Sequence, residues 1–341
     1  MSEVRTIGLD LAKTVFQIHG ADASGAVVFR KQLRRRQVLE FFARQPHCLV
    51  TMEACGSSHF WAREIGRLGH EVRMIPPAYV KPFVKRQKND MADAEAICEA
   101  AQRPTMHFVA VKSEEAQGVA VVLRTRDLLI RQRTQTINAL RGHLAEFGEV
   151  APEGSTYAAK LIAIVEDPQT ALPQTARASL RFLTAMLSQL NDQIQALDAE
   201  IVRRAREDET ARRLMTIPGV GPLIASALVA SAPPPETFQR GRDFAAWLGL
   251  VPRQHSTGGK HRLGSTTKMR ERSLRRLLIM GANSVVVWRA RKGAAPGSWL
   301  AKMLAHKPPM LVRVALANKM ARIVWALMAK GEVYRAPVTT A

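Results

Sequence analysis

Four carboxylates in the first hundred residues have the types and spacing for phosphoryl-transfer chemistry. Asp10 closes the apolar run Ile7-Gly8-Leu9-Asp10, and Glu53 closes Leu49-Val50-Thr51-Met52-Glu53. Asp90 and Asp93 stand three apart at the start of a helical pattern, so both face one side. Strand ends of an open α/β sheet are where sites form. Four acids on three elements of one sheet could hold two Mg²⁺ ions. Hard cations want oxygen ligands, and paired ions can clamp the attacking and leaving oxygens of a phosphodiester. Each acid also has a plainer reading: Asp90 as a helix N-cap, Asp93 as a surface residue, Glu53 as a structural carboxylate. No zinc-type cluster competes, because His255 and His261 stand six apart with no cysteine near them.

A second group lies far along the chain, in Gly249-Leu250-Val251-Pro252-Arg253-Gln254-His255-Ser256-Thr257-Gly258-Gly259-Lys260. This segment reads as a loop. Two hydroxyls precede a Gly-Gly pair that would let the backbone approach a phosphate. A serine here could attack a phosphodiester, with nearby cations stabilising the developing charge. By composition alone Ser256 is equally a turn residue. No obvious base lies beside it apart from the adjacent His255.

The charge distribution says what such groups would act on. The chain of 341 residues carries 50 Lys and Arg against 29 Asp and Glu, a net charge of +21. Self-repulsion opposes folding, so this surplus points to a polyanionic partner, with nucleic acid first. Residues 1–105 are net +5, residues 106–205 net 0 and residues 206–341 net +16. The densest stretch holds Arg253, Lys260, Arg262, Lys268, Arg270, Arg272, Arg275 and Arg276 against Glu271. Aromatics are 6%, which argues against binding mainly by stacked rings. The cysteines Cys48, Cys55 and Cys98 form no CxxC and no disulfide framework, as in a reducing cytosol. The N-terminus has no apolar signal-peptide core, and the stretch 311–328 is broken by Arg313, Lys319 and Arg322, so no bilayer span is expected.

These residues must be positioned by three kinds of segment. Strand patterns at 4–9, 15–19 and 26–31 are followed by a helix at 35–44 and a strand at 48–52. A helix at 58–68, a strand at 72–75 and a helix at 90–101, with Asp90 at the N-cap position, complete the series. That order is the order of a ribonuclease-H-like domain; the GxGxxG of a nucleotide-binding unit is missing after the first strand. The middle is helical. Leu123, Ile130, Ile137 and Leu144 recur every seven residues. Leu180, Leu183, Leu187, Leu190, Ile194, Leu197 and Ile201 then alternate three and four apart. The second run fits a dimerising coiled coil, an intramolecular helical hairpin with the first, or both at once. In the last third, Ile217-Pro218-Gly219-Val220-Gly221 reads as a helix-hairpin-helix turn, with Gly219 and Gly221 opening the backbone to a phosphate. Helices fit 244–248, 272–289 and 310–329.

Taken together the motifs resemble those of a known family. Ile7-Gly8-Leu9-Asp10-Leu11-Ala12-Lys13, Met52-Glu53-Ala54, Lys88-Asn89-Asp90-Met91-Ala92-Asp93-Ala94, Ile217-Pro218-Gly219-Val220-Gly221-Pro222, the run 244–254 and Ser256-Thr257-Gly258-Gly259-Lys260 are similar, in order and spacing, to the bacterial insertion-sequence transposases of the one-ten family with its eleven-eleven subgroup, related to the pilin-gene DNA invertase. The resemblance covers nearly the whole chain. It implies a RuvC-like (RNase-H fold) α/β nuclease domain at 1–111, a helical coiled-coil dimerisation region at 112–205 and a mostly helical, basic transposase domain at 206–335. It places Asp10, Glu53, Asp90 and Asp93 on a metal-binding acidic tetrad for Mg²⁺, with Mn²⁺ as a substitute, and Ser256 on a nucleophilic serine. Gly219, Gly221, Arg253, Thr257, Gly258, Gly259, Lys260, Arg262, Lys268, Arg272, Arg275 and Arg276 are the expected nucleic-acid contacts. The implied partners are donor and target DNA, a guide (bridge or seeker) RNA, and a homodimer that assembles to a tetramer at synapsis. The implied location is the bacterial cytoplasm, at the nucleoid. Three rival readings remain: an actin-like or sugar-kinase ATPase, from Asp10-Leu11-Ala12-Lys13-Thr14 with Ala12 in place of a glycine; a metal-only junction nuclease; and a non-catalytic nucleic-acid-binding regulator.

Overall fold

The computed structural model describes residues 3–85, 89–269, 271–293 and 297–336. Lys88 and Arg270, named above, lie outside the described residues. The chain packs as two compact units, 1–114 and 115–341.

The first unit is a five-stranded sheet with helices. Its strands are β1 (Thr6–Asp10), β2 (Val15–Ala21), β3 (Val27–Arg34), β4 (Leu49–Glu53) and β5 (Glu71–Ile75), in the order β3-β2-β1-β4-β5. The β1–β2 and β2–β3 pairs are antiparallel, whereas β1–β4 and β4–β5 are parallel. Parallel neighbours need crossovers, and α1 (Val38–Ala43) and α2 (Ser58–Arg67) supply them. The helix expected over 35–44 divides into a 3-10 turn, Arg35–Gln37, and α1. Alternating residues of β1, β2 and β4 send Ile7, Leu9, Phe16, Ile18, Val50 and Met52 into one core with Trp61 and Ile65 of α2. The short α3 (Pro77–Val80) and α4 (Asp90–Ala101) follow β5.

Helix α4 does most to shape this unit. Asn89 is its N-cap, the side chain accepting from Ala92 N at 2.8 Å, which corrects the expectation for Asp90. Asp90 is therefore the first helical residue, and its carboxylate is released from capping. Farther along, α4 lies directly on β1. A Cβ added to Gly8 would sit 2.2 Å from the Ala94 carbonyl oxygen and 2.8 Å from Cys98 Cβ. Only glycine at position 8 permits that approach.

The second unit is helical. Helix α5 (Glu114–Ala145) and α7 (Gln174–Glu207) run antiparallel, with α6 (Ala158–Glu166) packed at one end. Arg126 bonds Asp198, Arg133 donates to Asn191 Oδ1 at 3.3 Å and Thr136 Oγ1 lies 3.8 Å from Met186 Sδ. Leu180, Leu187, Leu190, Ile194 and Ile201 are buried within the chain. The apolar seam therefore closes an intramolecular hairpin. Of the two pairings open to the seam, the intramolecular one is formed by this fold.

The rest of the unit comprises α8 (Glu209–Leu214), α9 (Pro222–Ser231), α10 (Gly241–Trp247), the hairpin β6 (Pro252–Thr257) and β7 (Lys260–Thr266), α11 (Arg272–Lys292), α12 (Trp299–His306) and α13 (Pro309–Lys330). Leu214, Ile217, Leu228, Phe244, Leu278 and Val324 share its core. Leu123 of α5 packs against that core, and Asp127 of α5 pairs with Arg276 of α11. The helical middle and the basic last third thus fold together in one unit. Among the described residues no helix is long and apolar enough to cross a membrane.

Candidate active site and nucleic-acid surface

The carboxylates converge at one end of the five-stranded sheet. Leu9 pairs with Met52 in the parallel β1–β4 ladder, so Asp10 and Glu53, the next residue on each strand, leave the sheet side by side. Adjacent strands lie about 4.8 Å apart. Gly8 lets α4 rest on β1, which brings the first turn of α4, with Asp90 and Asp93, to the same end. The electrostatics report this proximity. Burial first, then the charges of Asp93, Asp90 and Glu53, push the Asp10 carboxyl up from 3.8 to about 6, against an opposing hydrogen bond from the Leu11 N–H. Among the described residues, no three side chains close on a single point as ligands around a metal do. The four acids share one neighbourhood rather than one finished coordination sphere. Their chemistry nevertheless fits a divalent cation: hard oxygen donors that repel each other until a positive ion enters.

That repulsion gives a measurable signature. The unfolded chain releases the Asp10 proton near 3.8 and the folded chain near 6. Between these values the folded state binds more protons, so stability falls as pH rises through the window. At about 1.36 kcal/mol per unit, the loss is at most about 3 kcal/mol. Asp10→Asn should therefore raise the Tm at pH 7.5, roughly an alkaline condition well past the window, when divalent cations are chelated. Mg²⁺ should raise the Tm of the wild type and leave the variant unmoved. A wild-type Tm indifferent to Mg²⁺ would count against a cation site at Asp10.

The serine segment is not the loop expected from the sequence but a two-stranded hairpin. Gly258 and Gly259 have φ of +53° and +75°, the paired left-handed residues of a two-residue type I′ turn. Ser256 then lies directly opposite His261, and Ser256 Oγ is 3.0 Å from His261 Nδ1. With that nitrogen unprotonated, the hydroxyl donates to it and is held in one rotamer. His255, adjacent in sequence, pairs with Arg262 on the other face. The Gly-Gly pair was the available signal: as a two-residue turn it pairs 256 with 261. Alternation also separates the two hydroxyls, since Thr257, opposite Lys260, faces away from Ser256. Arg253 Cβ and His255 Cδ2 both lie 3.6 Å from where a Gly264 side chain would begin, so they share the Thr257 face. Lys260 and Arg262 fall on that face as well, which puts the hairpin's cations behind the serine rather than around it.

Other expected contacts divide in the same way. Arg275 is 9% exposed, and its Nη1 donates to Leu248 O at 3.0 Å and Met269 O at 2.8 Å. It fastens the two ends of the serine hairpin and is not a free nucleic-acid contact, which corrects that expectation. Arg276 is paired with Asp127, whereas Lys268 and Arg272 are exposed. Gly219 has φ +87°, and a Cβ there would lie 2.6 Å from the Gly281 carbonyl oxygen. Its glycine is required by the close crossing of α11, which covers the turn on that side. Gly221, the N-cap of α9, has open space around it.

Comparison with known proteins fits both halves of this description. Residues 211–296 match the family described as Transposase IS116/IS110/IS902, and residues 7–149 match the DEDD-type transposase domain of IS110 elements. A probable family 20 transposase of Pseudomonas aeruginosa is 50% identical over 96% of this chain and 98% of its own length. The chain belongs to the IS110/IS116/IS902 transposase family. Within the family, the transposase for insertion sequence element IS1328 of Yersinia enterocolitica is 40% identical, covering 98% of this chain and 99% of its own. The transposase for IS1111A of Coxiella burnetii is 37% identical, covering 98% and 92%. A transposase of this family acts on DNA, and a ribonuclease-H-like fold suits its DEDD-type domain. Such a domain also implies a divalent metal. Asp10, Glu53, Asp90 and Asp93 fall inside the matched 7–149, in the order aspartate, glutamate, aspartate, aspartate. The ATPase reading is set aside by these matches, and so is that of a regulator without catalysis.

Proposed function

We propose that this transposase catalyses Mg²⁺-dependent DNA strand cleavage and exchange through a phosphoserine on Ser256, guided by a structured RNA. The observation that carries the reading is the convergence of Glu53, Asp90 and Asp93 on Asp10, which leaves an excess of negative charge at one sheet end. Asp10, Glu53, Asp90 and Asp93 would hold the cation by their carboxylate oxygens. When bound there, Mg²⁺ supplies Lewis-acid polarisation of a phosphodiester. Asn89 keeps the helix start in place without drawing on either aspartate. In the hairpin, His261 orients the Ser256 hydroxyl, and Arg275 holds the hairpin base. Attack forms the Oγ–P bond as the P–O bond to deoxyribose breaks. The electron pair leaves with the sugar oxygen, which takes a proton from water, while the serine proton passes to His261 or solvent. A phosphoserine conserves the phosphodiester bond energy for rejoining, which a hydrolytic nuclease does not.

The guide RNA rests on the family resemblance together with the surplus of cations on residues 206–341. The chain purified from a host carrying its own element should retain a discrete RNA encoded beside the gene, identified by sequencing. Recovery of only heterogeneous cellular RNA would remove guidance from the proposal and leave the cleavage chemistry standing. A homodimer through the helical region 112–205, and a tetramer at synapsis, remain part of the proposal.

A further inference from the structure

A basic surface that none of the sequence motifs includes runs along the outer edge of the first unit. Strand β3 is an edge strand, and it passes directly into the 3-10 turn Arg35–Gln37. Arg30, Lys31, Arg34, Arg35 and Arg36 fall in this stretch, and no acidic residue occurs between Asp22 and Glu40. All five cations are exposed. Among the described residues only Arg30 of the five forms a salt bridge, to Glu95 of α4 at 2.9 Å. Two of the others are held by rings. Lys31 Nζ lies 5.4 Å from the Phe29 ring and 5.5 Å from Phe41. The Arg35 guanidinium lies 5.0 Å from Trp61 and 5.9 Å from Phe16. Side chains held this way lose less freedom when they take up a ligand.

The topology places this surface at the carboxylate end of the sheet. Strands β1 and β3 are each antiparallel to β2, so they run in the same direction. Asp10 pairs with Gln17, Gln17 with Gln32, and Val15 with Arg34. The Arg35 N–H donates to Thr14 O at 2.8 Å, which ties the turn to the start of β2. With strands about 4.8 Å apart and a rise of about 3.3 Å per residue, the Arg34 backbone stands about 12 Å from that of Asp10. That span covers about three or four charges of a nucleic-acid strand, at about 3.4 Å per charge.

We propose that the β3 edge, through Lys31, Arg34 and Arg36 with Arg35, is a second binding site for the phosphate backbone of the DNA strand that reaches the carboxylates. Guanidinium groups suit this task because they present two parallel donors to a phosphate. Cations on an edge strand also guard against edge-to-edge pairing. That role calls for charge along the strand alone, whereas here the run continues past the strand end into the turn beside the site. The inference rests on the carboxylate reading for the identity of the strand, but not for the chemistry of the surface.

The test uses the full chain carrying Lys31→Gln, Arg34→Gln and Arg36→Gln. Affinity for labelled single-stranded DNA, duplex DNA and single-stranded RNA is measured against salt. The slope of log affinity against log salt should fall by about 0.7 per lost contact on a single strand and about 0.9 on a duplex. Three contacts give a fall of roughly 2 to 3 for the DNA probes, with RNA as the contrast. The charge-retaining set Lys31→Arg, Arg34→Lys and Arg36→Lys should keep the wild-type slope. Unchanged slopes with both DNA probes overturn the proposal, even where the RNA slope falls, as does an equal loss in the charge-retaining set. Asp10→Asn separates the two readings: a fallen slope in the triple variant supports the basic edge even where Asp10→Asn still cleaves DNA, an outcome that would overturn the carboxylate reading alone.

Discussion

Asp10→Asn is expected to reduce DNA strand cleavage by about 10³-fold or more, a loss of about 4 kcal/mol of transition-state stabilisation. The substitution keeps the shape of the side chain and removes its charge. Asp10 is the acid on which the other three converge, and it is the one whose carboxyl is pushed up to about 6. At neutral pH the group is ionised beside three other acids at a cost to the fold, and a positive ion relieves that repulsion. Glu53→Gln and Asp93→Asn should follow it with large losses of their own. DNA affinity and the thermal melting of the second unit should stay close to wild type, because the acids belong to the other unit. The check is cleavage of end-labelled DNA by purified protein, with Mg²⁺ or with EDTA. Robust cleavage by Asp10→Asn in EDTA would sink the metal assignment and leave the acids a structural role.

Ser256→Ala is expected to abolish the covalent protein–DNA adduct altogether. Wild-type protein, denatured during reaction with labelled DNA, should carry label on the protein band, and the alanine variant should not. The hairpin geometry sharpens this into a comparison. Thr257 is adjacent in sequence but faces the other way, toward Lys260 on the pairing strand, so Thr257→Ala should still form the adduct. His261→Ala should slow adduct formation by up to about 10²-fold, the scale of losing orientation at a reacting group, without removing it. If Thr257→Ala loses the adduct and Ser256→Ala keeps it, the nucleophile is the other hydroxyl. If both keep full cleavage with no adduct at any stage, water attacks and the protein works as a metal-only nuclease.

Much of this protein was legible from local pattern. Period-two runs ending in Asp10 and Glu53, the i, i+3 pair Asp90 and Asp93, and the crossover helices between them are short-range signals. A strand's alternation and a helix's face are fixed within a few residues of chain, so the order of the first unit and its acids could be read directly. The surplus of cations on 206–341 was equally plain, because charge is counted without reference to shape. What the sequence could not say is which groups meet across the fold. Nothing near Gly8 announces that Ala94 and Cys98 will press against it, yet that contact carries Asp90 and Asp93 to Asp10. An apolar three-four seam is the same whether its partner is a second copy or an earlier helix; here the partner is α5, because α5 and α7 lie in one compact unit and can meet without the entropic cost of bringing two chains together. Arg275 and Arg272 look alike in a basic run, but only burial against Leu248 and Met269 shows that the first is structural. The partner of Ser256 was hidden for the same reason. Side chains five positions apart become neighbours only when the Gly258-Gly259 turn folds one strand onto the other, and that pairing belongs to the tertiary structure.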